Sequence, residues 1–183
     1  MTELELVEAA RRGDADAFAV LARQHADRVY AIANRILLDR GAAEDAAQQA
    51  LLRAWRDLPT LREPARFGAW LRQLVVRACY DQAASDRRWH ANVRLIPLAA
   101  NASDATASVV ARDEVDRAFA RLKPPQRAVL VLRFYLDLPL AEIAATLDLS
   151  IGTVSSRLHY ALAELRAILE ADERSAPAEG RLA

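Results

Sequence analysis

Apolar residues recur at three- and four-residue intervals along nearly the whole chain, and little interrupts them: 183 residues include 5 glycines and 7 prolines. A helix closes its own backbone hydrogen bonds and needs only one apolar stripe to pack. Spacing of this kind, with only short β-branched runs, therefore favours an all-α fold. With 53% apolar residues there is material for a core, and the length allows one domain or two small helical ones.

The breakers divide the chain into two blocks. Leu4, Val7 and Ala10 form a short helix that Gly13 ends. Asp14 or Asp16 then caps a long helix with Phe18, Leu21, Val29, Ile32, Ala33 and Ile36 on its apolar face, and Gly41 is expected to break it. The next helix, AAEDAAQQALLRAWRDL, has Ala47, Leu51, Ala54, Trp55 and Leu58 on its expected buried face. Asp45, Gln48, Gln49, Leu52 and Arg56 fall opposite. After the PTLREPAR loop, Phe67, Trp70, Leu71, Leu74 and Val75 open a helix running toward Arg87 and Arg88. From about Asn92 to Ala111 the residues turn small and polar, without amphipathic repeat, which reads as a linker. The second block starts with Val115, Ala118, Phe119 and Leu122 and stops at Pro124–Pro125. QRAVLVLRFYL follows, apolar nearly all round as a buried central helix would be. The expected organisation is two small helical domains, 1–90 and 113–172, a flexible linker 91–112 and a disordered tail 173–183.

The second domain ends in a pair that fits a helix-turn-helix, LAEIAATL and IGTVSSRLHYALAELRAIL. Ile143, Ala144 and Leu147 should face Val154, Leu158 and Leu162 across an Asp148–Leu149–Ser150 turn. The turn lacks glycine, so Asp148 must supply the left-handed residue, and Ser150 is placed to cap the second helix. Thr153, Ser156, His159 and Tyr160 remain on the unburied face, with Ser155 and Arg157 at its edges. Short hydroxyl side chains at a helix N-terminus allow close approach to phosphates and base edges in a major groove. A packed helical hairpin with a polar outer face would show the same spacing.

Lys+Arg and Asp+Glu balance at 25 each, so any nucleic-acid contact must come from a local face. One cysteine, Cys79, allows no internal disulfide, and the spacing of His25, His90 and His159 offers no metal site. No nucleophile–base pair or glycine-rich phosphate loop can be assembled, so neither catalysis nor a cofactor is expected. No signal pattern precedes the first helix and no apolar run nears the roughly 18 residues of a membrane span, which points to a cytoplasmic protein without membrane insertion. A ligand-sensing regulator and a helical protein-binding adaptor are the rival classes.

Three stretches, GDADAFAVLARQHADRVYAIANRIL, AEDAAQQALLRAWRDL with FGAWLRQLVVRACYD behind it, and LKPPQRAVLVLRFYLDLPLAEIAATLDLSIGTVSSRLHYALAELR, stand in the order and spacing of the extracytoplasmic-function (ECF) sigma factors of bacterial RNA polymerase, which the chain resembles. The resemblance implies a non-catalytic subunit that binds core polymerase, through the β′ clamp and the β flap, and directs promoter recognition, melting and initiation at a specialised regulon. Residues 1–90 would be the region-two domain, which binds core and the minus-ten element, and 113–172 the region-four domain, which reads the minus-thirty-five element. Core docking falls by position on Asp45, Gln48, Gln49, Leu52 and Arg56; the family usually has an acidic residue where Gln49 stands.

Minus-ten capture falls on Leu61, Arg62, Arg66, Trp70, Arg72 and Arg77, with Arg87 and Arg88 reading equally as phosphate contacts or solvated charges. Extruding a base costs on the order of a few kcal/mol, which stacking and edge hydrogen bonds must offset. Many relatives have Asn where Arg77 stands, leaving Arg77 either to stack on a base or to hold phosphate. Trp70 reads equally as pocket wall or core. Minus-thirty-five contacts fall on Thr153, Ser155, Ser156, Arg157, His159 and Tyr160. Many relatives carry Lys or Arg at position 155, so Ser155 implies weaker affinity for that element. Family members are commonly held inactive by an anti-sigma factor, which is the further partner the resemblance implies.

Overall fold

The computed structural model describes residues 1–92 and 107–175, and among these the regular structure is helical: α1 (Glu3–Arg11), α2 (Ala15–Leu37), α3 (Arg40–Asp57), α4 (Phe67–Asn92), α5 (Ala107–Arg121), α6 (Pro124–Leu130), α7 (Leu140–Leu147) and α8 (Ile151–Ser175). Two 3-10 turns, Leu58–Thr60 and Pro64–Arg66, shape the PTLREPAR loop, and a π-helical segment, Val131–Tyr135, continues α6. The expected linker falls outside the described residues over 93–106, as does the expected tail over 176–183. At the described ends, residues 107–112 belong to α5 and α8 runs on to Ser175, so helix replaces linker and tail there.

Local chemistry sets the helix ends. Thr2 and Glu5 exchange side-chain-to-backbone hydrogen bonds in a capping box at α1. Gly13 turns the chain at φ 96°, a conformation open to a residue without Cβ, and Asp14 accepts from the Ala17 N–H at 3.0 Å to start α2. The break after α2 is not at Gly41. Leu38 takes the left-handed conformation at φ 59° and Asp39 caps α3 by accepting from the Ala42 N–H at 2.7 Å. Gly41 sits inside the first turn of α3 because the cap, rather than the glycine's freedom, fixes the boundary.

The first domain packs α3 between α2 and α4 through small residues. Ala42, Ala43, Ala46, Ala47, Ala50 and Ala54 are all buried. Alanine lets helix axes approach closely, so the larger residues expected in this core are displaced: Leu51 is half-buried and Trp55 lies at the surface, 5.0 Å ring to ring from Phe18. Phe67, Leu71, Leu74, Val75, Val76 and Cys79 of α4 complete the core, each apolar side chain stabilising it by about 1.5–3 kcal/mol. An Arg53–Asp81 ion pair at 2.8 Å ties α3 to α4.

In the second domain, Ala128, Val129, Leu130, Val131 and Leu132 form the expected central segment. Its end departs from expectation. Leu136 N–H donates to the Val131 carbonyl at 3.1 Å, a five-residue step that takes the side chains within the π-helical segment off the α-helical register. Phe134 is 63% exposed, and Tyr135 is exposed beneath the Arg35 guanidinium, 3.7 Å from its ring centroid. The two domains share one continuous core cluster, with α2 and α4 of the first meeting α6 and α7 of the second.

Candidate nucleic-acid interface

The helix-turn-helix forms as the spacing requires. Ile143 and Ala144 of α7 and Val154 of α8 are buried, Leu147 and Leu158 half-buried, and Asp148 takes φ 55°, ψ 50° at the turn. Leu162 is the exception: it is exposed, because by that turn α8 has run past the short α7 and borders a groove with Phe134 and Val115 instead. The Ser150 hydroxyl accepts from the Thr153 N–H at 3.1 Å and also pairs with the Thr153 hydroxyl at 2.8 Å. Thr153, Ser155, Ser156, His159 and Tyr160 are all exposed, with His159 edge-on to Tyr160. Arg157 is not with them. It is half-buried on the flank of α8 facing α4, where its charge opposes the upward push that burial gives the Tyr80 hydroxyl. That hydroxyl has no partner in hydrogen-bond geometry, so the guanidinium approaches it without full alignment.

Five of the residues expected at the minus-ten element, Leu61, Arg62, Arg66, Trp70 and Arg72, line one crevice of 650 Å³ together with Glu142 and Thr146 of the second domain, whereas Arg77 lies outside it, exposed beside Asp148. Arg62 and Arg66 are exposed and Trp70 half-buried, its ring tilted at 47° to that of the buried Phe67 with 6.1 Å between centroids. Leu61 departs from expectation: at 8% exposure it belongs to the core, because the 3-10 turns fold it under the loop. Arg72 is 15% exposed and reaches Glu142 at 3.3 Å. Burial pushes its pKa down, Glu142 opposes this and Arg28 adds to it. The side chains of Arg87 and Arg88 lie outside the described residues.

On α3, Asp45, Gln48, Gln49, Leu52 and Arg56 are all exposed on one face. Leu52 is 54% exposed and borders an apolar groove with Phe18, Leu51 and Trp55. Arg56 is paired with Asp57 at 2.7 Å.

Residues 21–89 match the family model for sigma-70 region 2, and residues 118–167 that for sigma-70 region 4. The ECF RNA polymerase sigma factor SigM of Mycobacterium tuberculosis is 33% identical over 171 residues, covering 92% of this chain and 85% of SigM. The chain belongs to the ECF sigma factors. SigW of Bacillus subtilis is 26% identical over 173 residues, covering 87% of this chain and 92% of SigW. Among solved structures, CnrH in complex with the cytosolic domain of CnrY matches with a TM-score of 0.66 at 25% identity, over 93% of this chain and 98% of CnrH.

This sigma factor is thus an RNA polymerase subunit that directs promoter recognition and transcription initiation, and it is not an enzyme. Its partners include core polymerase and promoter DNA, and among the described residues no helix is long and apolar enough to cross a membrane. The two family matches fall within the two helical blocks, and the described expected site residues lie at a surface or line the crevice, Leu61 as a buried part of its wall. Sequence reasoning missed Gln73, Tyr80 and Glu142, which join α4 to the helix-turn-helix. The exposed Phe134 was missed as well. No local signal marks the first three, because their partners are about 70 residues away in the chain.

Proposed function

We propose that the sigma factor divides its work between residues 1–90 and 113–172. The first domain docks on the β′ clamp through Asp45, Gln48, Gln49, Leu52 and Arg56, and takes the minus-ten strand between Arg62, Arg66, Trp70, Arg72 and Arg77, with Leu61 supporting the wall from beneath. The second reads the minus-thirty-five element through Thr153, Ser155, Ser156, His159 and Tyr160, while Arg157 holds phosphate, and it docks on the β flap. The supporting observation is the capped N-terminus of α8: Ser150 satisfies an N–H there, and short polar side chains stand exposed over the next turns.

Each domain is small, and isolated modules of this size bind DNA modestly. The segment between α4 and α5 tethers the two domains, so joining them raises local concentration while polymerase sets the spacing. The factor works in the cytoplasm, where polymerase and DNA are, and serves a specialised regulon. An anti-sigma partner restrains it by covering its polymerase-docking faces; the capture of the related CnrH with the cytosolic domain of CnrY supports a protein partner of this kind.

The test combines the purified factor with sigma-free core polymerase and genomic DNA fragments, followed by sequencing of transcript starts. Discrete starts sharing two upstream elements are expected. DNA binding without any complex with core would overturn the docking assignments at Asp45, Gln48 and Gln49.

A further inference from the structure

The minus-ten crevice contains a carboxylate that strand capture does not call for. Its charged lining sets three arginines, Arg62, Arg66 and Arg72, against three glutamates, Glu3, Glu63 and Glu142. Opposed charges of equal number give little net pull on a phosphate backbone. Two of the glutamates face arginines, Glu63 at 3.8 Å from Arg66 and Glu142 at 3.3 Å from Arg72. Glu3 pairs instead with a histidine: the His25 Nε2 of α2 lies 3.5 Å from its carboxylate. The Glu3 backbone is fixed, because the Thr2–Glu5 capping box starts α1 and that helix packs against both 3-10 turns of the PTLREPAR loop.

His25 stands directly behind the crevice wall. Its side chain is 17% exposed, and its ring lies edge-on to Phe67 with 5.3 Å between centroids. Phe67 in turn meets Trp70, which lines the crevice with Glu3. The charged groups set about His25 are Glu3 from α1, Arg28 nearly one turn along α2, and Arg72 from α4; both arginines line a small cavity with it. The carboxylate favours a proton on the imidazole, and the arginines oppose one. Histidine is the side chain whose charge ordinarily changes at about pH 5 to 8. A neutral imidazole leaves Glu3 with its full negative charge beside the arginines that meet phosphate. An imidazolium turns the contact into an ion pair and cancels that charge.

We propose that His25 is a positioning residue for minus-ten capture, its proton drawing the Glu3 carboxylate onto α2 so that Arg62 and Arg66 face the DNA strand unopposed. Capture therefore tightens as pH falls. The proposal rests on the minus-ten reading of the crevice, and different results sink the two.

Holoenzyme is titrated with the single-stranded non-template minus-ten segment of a promoter found by start-site mapping, at about pH 6 and about pH 8. This probe carries no minus-thirty-five element, so His159 takes no part. The parent should bind about three-fold more tightly at the lower pH. His25→Gln should bind at both pH values as weakly as the parent does at the higher one. Glu3→Gln should bind at both as tightly as the parent does at the lower one. A purely structural role would weaken both variants together. Glu3 is 54% exposed, so its variant keeps the fold and the comparison stands even where His25→Gln is destabilised. In the free full chain, the Trp70 indole N–H resonance should move between the two pH values and stay fixed in His25→Gln. Equal pH dependence in the parent and His25→Gln, by binding or by this resonance, would overturn the proposal. So would a Glu3→Gln factor that binds more weakly than the parent. Strand binding absent at both pH values would overturn the minus-ten reading, and the proposal with it.

Discussion

Asp148 joins two structures at one residue: its backbone closes the helix-turn-helix at φ 55°, and its carboxylate lies 3.9 Å from the Arg77 guanidinium on α4. The turn that sets the angle between α7 and α8 thus also touches the other domain.

The backbone role can be tested by itself. A β-branched residue fits the left-handed region poorly, so Asp148→Val should destabilise the second domain by about 1–2 kcal/mol, while Asp148→Asn should stay within about 0.5 kcal/mol. Urea denaturation of both variants beside the parent chain measures this.

Core docking makes a different demand on Leu52. Truncating an exposed leucine removes little folding energy, yet at an interface it removes an apolar contact beside Gln48 and Gln49. Leu52→Ala should weaken binding to core polymerase by about ten-fold and leave the denaturation midpoint unchanged. Titration of labelled core, with a melt of the same sample, checks both halves.

Ser155 is exposed on the recognition helix and carries no charge. Ser155→Arg should add a phosphate or guanine contact, strengthening binding to the minus-thirty-five element. It should also steepen the dependence of log K on log salt by about 0.9. Holoenzyme–promoter titrations at several salt concentrations decide this, since a base contact without phosphate would leave the slope unchanged.

The alanine seam of α3 tolerates no added bulk. Ala46 is 1% exposed between packed helices, and Ala46→Leu should cost about 1–3 kcal/mol through strain, lowering the melting temperature. The same substitution at exposed Gln49 should cost little, and a paired melting experiment separates the two.

Burial pushes the Cys79 thiol up from its ordinary 9.0 to about 12, and burial also raises Tyr80. The folded state therefore holds these protons more tightly than the unfolded chain. Their contribution to stability is complete below pH ~9 and is lost as pH rises toward 12. Denaturation midpoints should fall across that window, and Cys79→Ala should remove part of the slope.

Periodicity and caps alone determined a good deal here. The fold class, the two blocks and the helix-turn-helix with Asp148 as its left-handed residue and Ser150 as its cap follow from local rules, because each depends on groups within a few residues of one another. The same locality put Asp45, Gln48, Gln49 and Leu52 on one exposed face of α3. Tertiary packing decided the rest. Close approach through alanine pushed Trp55 out of the core, the 3-10 turns drew Leu61 into it, and the π-helical segment turned Phe134 outward. Above all, nothing local relates Arg72 to Glu142 or Arg77 to Asp148. Charges about 70 residues apart meet only when two helical surfaces choose a register, and that choice belongs to packing across the whole domain interface.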